Sequence, residues 1–351
     1  MDKKQILQSF QIGFTYIGTV VGAGFASGQE ILKFFTIHGD RAYIAILLST
    51  FLFAWVGTKM LLLGARLQAS SYRQLTSYLF GDKLAALIDL FMMVMLFGVT
   101  VAMLAGVGAL FHENLKVPFQ LGVLLTMGVT YLTINRGIPG LLAANSIIVP
   151  LMLSLICFIF IKTAITPSAH TEFADSRHES LSWLASGVSY AAFNLGLAVS
   201  VLVPLGNEIK DRKSLMAGGI IGAAGLGGML LGAHYAMSER MPGILEFEVP
   251  MAQITATYGI PLQVLFVLAL WGEIFSTLIA NVYGLGSQLS SPRHPDNNSL
   301  VTVLILTSAF FVSQVGFSNI VTYLYPVFGY LSFLLLIFLL WPRTALPRRH
   351  P

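Results

Sequence analysis

Charge is what this chain has least of. Of its 351 residues only 10% are Asp, Glu, Lys or Arg, against roughly 25% in an ordinary soluble domain. Hydrophobic residues make up 56%. So few charges cannot cover a surface that faces water, so lipid is the solvent for much of the chain. Cysteine is nearly missing as well. Cys157 stands alone in an apolar run, which excludes a disulfide framework and a Cys-based zinc site. The seven His show no His-Glu-x-x-His spacing. His234, the one His well inside an apolar segment, is expected to be packed or water-facing rather than a ligand. There is no Gly-x-Ser-x-Gly elbow and no nucleotide-binding loop, so the expectation is a protein that is not an enzyme.

The net charge of +4 does not imply nucleic acid. The basic residues cluster at the ends of apolar runs, where membrane topology accounts for them. The opening Met1-Asp2-Lys3-Lys4 and the apolar run behind it imitate a cleavable signal peptide. A signal core is short, however, and this segment continues past Ile31 to Phe35, which reads as a first membrane helix.

A spanning helix needs about 20 mostly apolar residues. Ten stretches qualify, over residues 8–36, 41–66, 84–111, 118–135, 140–163, 181–206, 215–238, 261–289, 299–317 and 320–341. The expected architecture is therefore an all-α membrane protein of about ten spans in a single transmembrane domain, residues 1–351. Residues 70–82 read as a short interfacial helix. Glu246, Glu248, Pro250 and the amphipathic stretch to Tyr258 read as a lid or interfacial helix on the opposite face. With ten spans both termini share a side. That side carries fourteen Lys and Arg, from Lys3 and Lys4 to Arg348 and Arg349, and the other carries six. The bias places both termini in the cytoplasm of a cell-membrane protein.

The chain also repeats itself. Residues 16–31 (YIGTVVGAGFASGQEI) align without gaps on residues 194–209 (NLGLAVSVLVPLGNEI), sharing Gly18/Gly196, Val21/Val199, Gly28/Gly206, Glu30/Glu208 and Ile31/Ile209. The copies fall in the first and sixth spans, an odd offset that sets them in opposite orientation, as inverted repeats require. Residues 8–163 and 181–341 would be the two halves.

Gly18, Gly22, Gly24 and Gly28 crowd one stretch of the first span. Each glycine costs about 1 kcal/mol relative to Ala in a helix interior, so the helix can open there and expose backbone groups to a solute. Small residues at this spacing also serve close helix packing, and both readings stand. A matching weak spot in the sixth span, with Asn194, Gly196, Pro204 and Gly206, favours a binding break. In the eighth span Glu273, Ser276 and Thr277 share one helical face. A carboxylate beside two hydroxyls suits a sodium ion or a proton relay, or else a structural hydrogen-bond cluster. Asp89 can be explained by snorkelling or an ion pair. Glu30 and Lys33 can pair, gate, or simply form an exposed helix end. Tyr16, Tyr190, Phe193 and Tyr283 are candidate pocket aromatics or packing.

The run from Gly18 to Glu30 (GTVVGAGFASGQE) resembles the opening helix of a bacterial family of amino acid permeases. That family is similar to compact members of the amino acid–polyamine–organocation superfamily, with a LeuT-type fold of five plus five inverted helices. The resemblance implies a transporter for an amino acid or similar zwitterion, moving by alternating access. It implies broken first and sixth helices, with the substrate near Gly22, Ala23, Gly24, Phe25, Tyr190, Phe193 and Asn194. The substrate carboxylate would meet the N–H groups of Ala23 and Gly24. In sodium-coupled members a bound sodium ion would lie between the carbonyls of Gly18 and Val21 and the hydroxyls of Ser276 and Thr277. Glu273 departs from that pattern and keeps proton coupling open. The expected partners are the lipid bilayer and a small amino-acid-like substrate, with no cofactor beyond a possible sodium ion. A ligand-sensing subunit on the same fold, resembling the germinant receptors of spores, is the second reading.

Overall fold

In the computed structural model, residues 2–69, 71–135, 141–166, 181–209, 211–289 and 297–340 are described. Every regular element among them is helical. The first apolar stretch forms three pieces, α1 (Lys3–Val20), α2 (Ala23–Ser27) and α3 (Gln29–Phe34). A capping box starts α1: Gln5 N–H donates to Asp2 Oδ1 (2.7 Å) and Asp2 N–H returns a bond to Gln5 Oε1 (3.0 Å). Then come α4 (Arg41–Leu52), a π-helical turn at Phe53–Gly57 and α5 (Thr58–Leu67). The short α6 (Tyr72–Phe80) leads into the long α7 (Asp82–Leu115). Next are α8 (Phe119–Asn135), α9 (Leu141–Ile165), α10 (Ser182–Glu208) and α11 (Arg212–Ser238). The short α12 (Pro250–Ala256), in the stretch read from sequence as a lid or interfacial helix and called the lid below, precedes α13 (Ile260–Leu289), α14 (Asn297–Ser313) and α15 (Phe317–Leu340).

Among the described residues six helices are long and apolar enough to cross a membrane, seven if the bent pair α14–α15 counts as one span. The expectation of ten spans is therefore not met by length and composition alone. The first stretch is cut into pieces, α8 is short, and α14 and α15 meet at 107°. The outer surface is studded with exposed apolar side chains such as Leu47, Leu87, Leu125, Leu268 and Phe311, as lipid-facing helices require.

α1 packs most extensively on α11, and α10 lies between α5 and α15. The short α2 is enclosed by α7, α12 and α13. One continuous core joins these layers, with Tyr16, Tyr190, Tyr325, Phe25, Phe35 and Phe193 among its largest fully buried side chains.

The sixth stretch corrects one expectation. It is a single unbroken helix, α10, running through Asn194, Gly196 and Pro204. Its small residues serve packing instead: a Cβ at Gly196 would meet Ser332 Oγ of α15 at 2.6 Å, and one at Gly206 would run into the Leu61 carbonyl of α5. The Asn194 amide is turned onto its own helix, donating to the Tyr190 carbonyl at 3.1 Å.

Candidate functional site: the break in the first helix

The α1 ladder closes with Val21 N–H donating to Ile17 O (2.8 Å), and α2 opens with Ala26 N–H donating to Gly22 O (2.8 Å). Between them Val21 (φ −73°, ψ 109°) and Gly22 (φ −126°, ψ −167°) are extended. Among the described residues no donor meets the carbonyls of Gly18 and Val21, and no backbone acceptor meets the N–H groups of Gly22 through Phe25. Val21, Ala23, Gly24 and Phe25 are nevertheless buried. Inside a membrane protein, free backbone groups are tolerated where they are enclosed by protein or line a cavity. The break thus has unused acceptors on one side and unused donors on the other.

A second interruption follows. Gly28 is left-handed (φ 87°) and separates α2 from α3, a conformation that suits glycine because it has no Cβ. Glu30, in the first turn of α3, lies against Gly24: a Cβ on Gly24 would run into Glu30 Oε1 and lie 2.6 Å from its Cδ and Cγ. Glu30 is 3% exposed, and its Oε2 has no hydrogen-bond partner. Its carboxyl lies next to the Tyr190 hydroxyl of α10 and within electrostatic reach of Tyr325 of α15. The Tyr190 hydroxyl makes no hydrogen bond of full geometry. Glu30 does not pair with Lys33, so neither the ion-pair nor the exposed-end reading of this segment holds.

The eighth stretch, now α13, reaches the break. Thr277 Cγ2 is 4.0 Å, and Met103 Cε of α7 3.4 Å, from where a Cβ on Gly22 would sit. Glu273, one helical turn before Thr277, is fully buried with both oxygens unpartnered. Ser276 is buried too, its hydroxyl donating to the Glu273 carbonyl at 3.1 Å.

The remaining candidates separate cleanly. Phe193 is buried, its ring 4.5 Å from that of Tyr325, and Tyr190 packs against Phe35 at 4.9 Å. These rings join Glu30 in one cluster. Tyr16 serves structure: its hydroxyl donates to the Phe53 carbonyl (2.9 Å) at the π-helical turn. His234 is packed, its Nδ1 3.1 Å from Thr36 Oγ1 and its ring edge-on to Tyr43. Asp89 is ion-paired with Arg73 at 3.1 Å. The side chain of Tyr283 lies outside the described residues.

The lid covers the same region. Pro250 and Met251 of α12 press on the Gly28 turn. Glu113 at the end of α7 accepts from the N–H groups of Glu248 (2.8 Å) and Val249 (3.0 Å), holding the start of α12. Glu248 turns its own carboxylate toward the N–H groups of Phe317 and Ser318 at the start of α15.

No family model matches the chain. Over 347 residues it is 35% identical to the uncharacterized membrane protein YkvI of Bacillus subtilis (strain 168), covering 97% of each chain. The chain belongs to the YkvI family. A second Bacillus subtilis relative, the uncharacterized protein YyaD, is 28% identical over 326 residues, 92% of this chain and 94% of its own. Among solved structures, a mutant of the Eremococcus coleocola manganese transporter superposes with a TM-score of 0.65. The match covers 96% of this chain and 79% of that one at 14% identity. The same transporter in complex with an aromatic bis-isothiourea substituted compound gives a TM-score of 0.61 at 15% identity over the same shares. This YkvI-family chain is thus a multi-pass membrane protein with a fold shared by solved transporters.

Proposed function

We propose that this protein is a secondary transporter of the cell membrane, moving an amino acid or similar small zwitterion by alternating access. The observation that carries the reading is the buried break at Val21–Gly22. Its free carbonyls and N–H groups lie against α13, the helix that bears Glu273, Ser276 and Thr277. A zwitterion has one charge for each side of such a break. In this reading the chain is a five-plus-five inverted repeat of ten spans with both termini cytoplasmic. The substrate rests at Gly22, Ala23, Gly24 and Phe25, beside Tyr190, Phe193 and Asn194. A sodium ion between Gly18, Val21, Ser276 and Thr277, or a proton on Glu273, supplies the driving force.

The structural neighbours carry manganese in their names, but an organic cargo suits this chain better. The break offers free N–H groups as well as free carbonyls, which a zwitterion uses and a bare metal ion does not.

Uptake of a labelled amino acid panel into proteoliposomes, under an imposed sodium or proton gradient, tests the proposal. Gradient-driven accumulation of at least one zwitterion is expected, and Glu273→Gln or Thr277→Ala should lower it by on the order of tenfold, a loss of about 1.4 kcal/mol. Full uptake in both variants would remove the coupling site. Ligand-induced thermal stabilisation with no uptake under either gradient would replace transport by sensing.

A further inference from the structure

We propose that Glu30 is the receptor for a positively charged organic nitrogen, held between its carboxylate and the rings of Tyr190 and Tyr325. The inference rests on the transport reading for how a solute reaches the core. The chemistry of the site stands on its own observations.

An ionisable side chain within the membrane is costly and is retained where it meets a partner, a pathway or a cavity. Among the described residues Glu30 has no ion-pair partner: Lys33, the nearest cation in sequence, makes none with it. Its carboxyl lies instead over Gly24, directly beside the unused backbone groups of the break.

What surrounds this carboxylate selects among cations. A sodium or divalent ion asks for several oxygen ligands in a shell, and among the described residues Glu30 is not part of any group of three His, Cys, Asp or Glu side chains. The neighbours are aromatic. Tyr190 packs with Phe34 (5.4 Å), Phe35 (4.9 Å) and Phe53 (6.1 Å), and Tyr325 with Phe193 (4.5 Å). One carboxylate set in a group of rings is the environment that an alkylammonium prefers, through a charge-assisted hydrogen bond and attraction to the ring faces. The two tyrosine hydroxyls add polar contacts for the remaining N–H groups. The spacing suits an α-amino acid, whose ammonium and carboxylate are adjacent, as Glu30 is adjacent to the break.

The test uses the purified full-length protein in lipid nanodiscs, with ethylammonium chloride as the probe and sodium chloride at equal concentration as the reference. Thermal unfolding of the wild type is expected to rise saturably with ethylammonium beyond the sodium reference. Glu30→Gln, which keeps size and polarity but removes the charge, should weaken the apparent affinity at least about tenfold, the loss of one charge-assisted hydrogen bond. Glu246→Gln, at an exposed carboxylate, should leave the response unchanged. If Glu30→Gln does not fold, Glu30→Asp decides, because the shortened carboxylate should bind more weakly. A wild type with no saturable rise overturns the inference, as does a rise that persists at wild-type affinity in the Glu30 variant. Ethylammonium binding through Glu30 in a protein that takes up nothing leaves this inference standing and removes transport. Zwitterion uptake with unaltered KM in Glu30→Gln does the reverse.

Discussion

At the scale of single residues the structure separates groups that hold the fold from groups that are held in reserve. Tyr16 belongs to the first kind. Its ring fills the hollows left by Gly57 and Gly222, and its hydroxyl serves the Phe53 carbonyl. Tyr16→Phe should therefore lower stability by about 1–3 kcal/mol, the range for a buried acceptor deprived of its donor, read as earlier thermal unfolding. Binding at the break should be unaffected. Gly24 belongs to the second kind. Gly24→Ala would force the Glu30 side chain from its place, so ethylammonium stabilisation should fall while the protein still folds, since a flexible side chain can give way. Intact ethylammonium binding in Gly24→Ala would show that Glu30 acts from another position. The sequence marks Gly24 by its glycine cluster but gives no sign of Glu30's burial. A glutamate eight residues beyond a helix break reads as a solvated end, because Tyr190 and Tyr325 lie far off along the chain.

Between elements, small residues and lid contacts dominate. α5 and α10 approach backbone to backbone: a Cβ on Gly64 would strike the Val203 carbonyl, and one on Gly206 the Leu61 carbonyl. Neither clash can be relieved by a rotamer change, so Gly64→Ala or Gly206→Ala should cost about 1–3 kcal/mol, as overpacking does. A thermal midpoint unchanged in both would mean the helices are not in close contact. This explains why the sixth stretch misleads a reader of sequence. Glycine spacing that opens a helix is the same spacing that lets two helices touch, and only the neighbours reveal which. The ten apolar stretches, by contrast, each fall on a helix or helix group, since burial of long apolar runs needs no distant information.

The lid offers a pH test at the same scale. Burial raises the Glu248 carboxyl above the usual glutamate range; the N–H groups of Ser318 and Phe317 oppose the shift, Glu113 adds to it and His112 counters it. A carboxyl raised in the folded state stabilises that state fully below its unfolded value, and the contribution is lost as pH rises through the folded one. Hydrogen exchange over residues 243–256 should accordingly quicken on raising the pH beyond the intrinsic base catalysis, and Glu248→Gln should flatten that excess. An excess that persists in Glu248→Gln would place the titrating group elsewhere.

For the whole molecule the distribution of charge between its two ends bears on orientation. A cleft of about 490 Å³ between α5 and α11, lined in part by Lys59, Arg66 and Arg212, gathers basic residues at the end of the molecule assigned to the cytoplasm. Asp82 belongs to that end and Glu246 to the lid at the other. In a Cys157→Ser background, Glu246→Cys should react with a membrane-impermeant maleimide on intact cells, and Asp82→Cys only after lysis. The opposite pattern would invert the topology. The sequence carries this expectation through the fourteen-to-six distribution of Lys and Arg. It could not show where the spans bend, because the 107° elbow between α14 and α15 depends on what packs beside it.

That elbow has a mechanical meaning. Gly316 (φ 94°) forms its corner, and the Glu248 carboxylate of the lid reaches to 3.2 Å from where a Cβ there would lie. The same short stretch at the start of α12 touches both: Pro250 and Met251 press on the Gly28 turn, and Glu248, just before them, holds the corner of α15, the helix that carries Tyr325. The Gly28 turn and the corner of α15 are thus tied through one short strap, so any displacement of that strap would be felt at both, on either side of Glu30 and Tyr325.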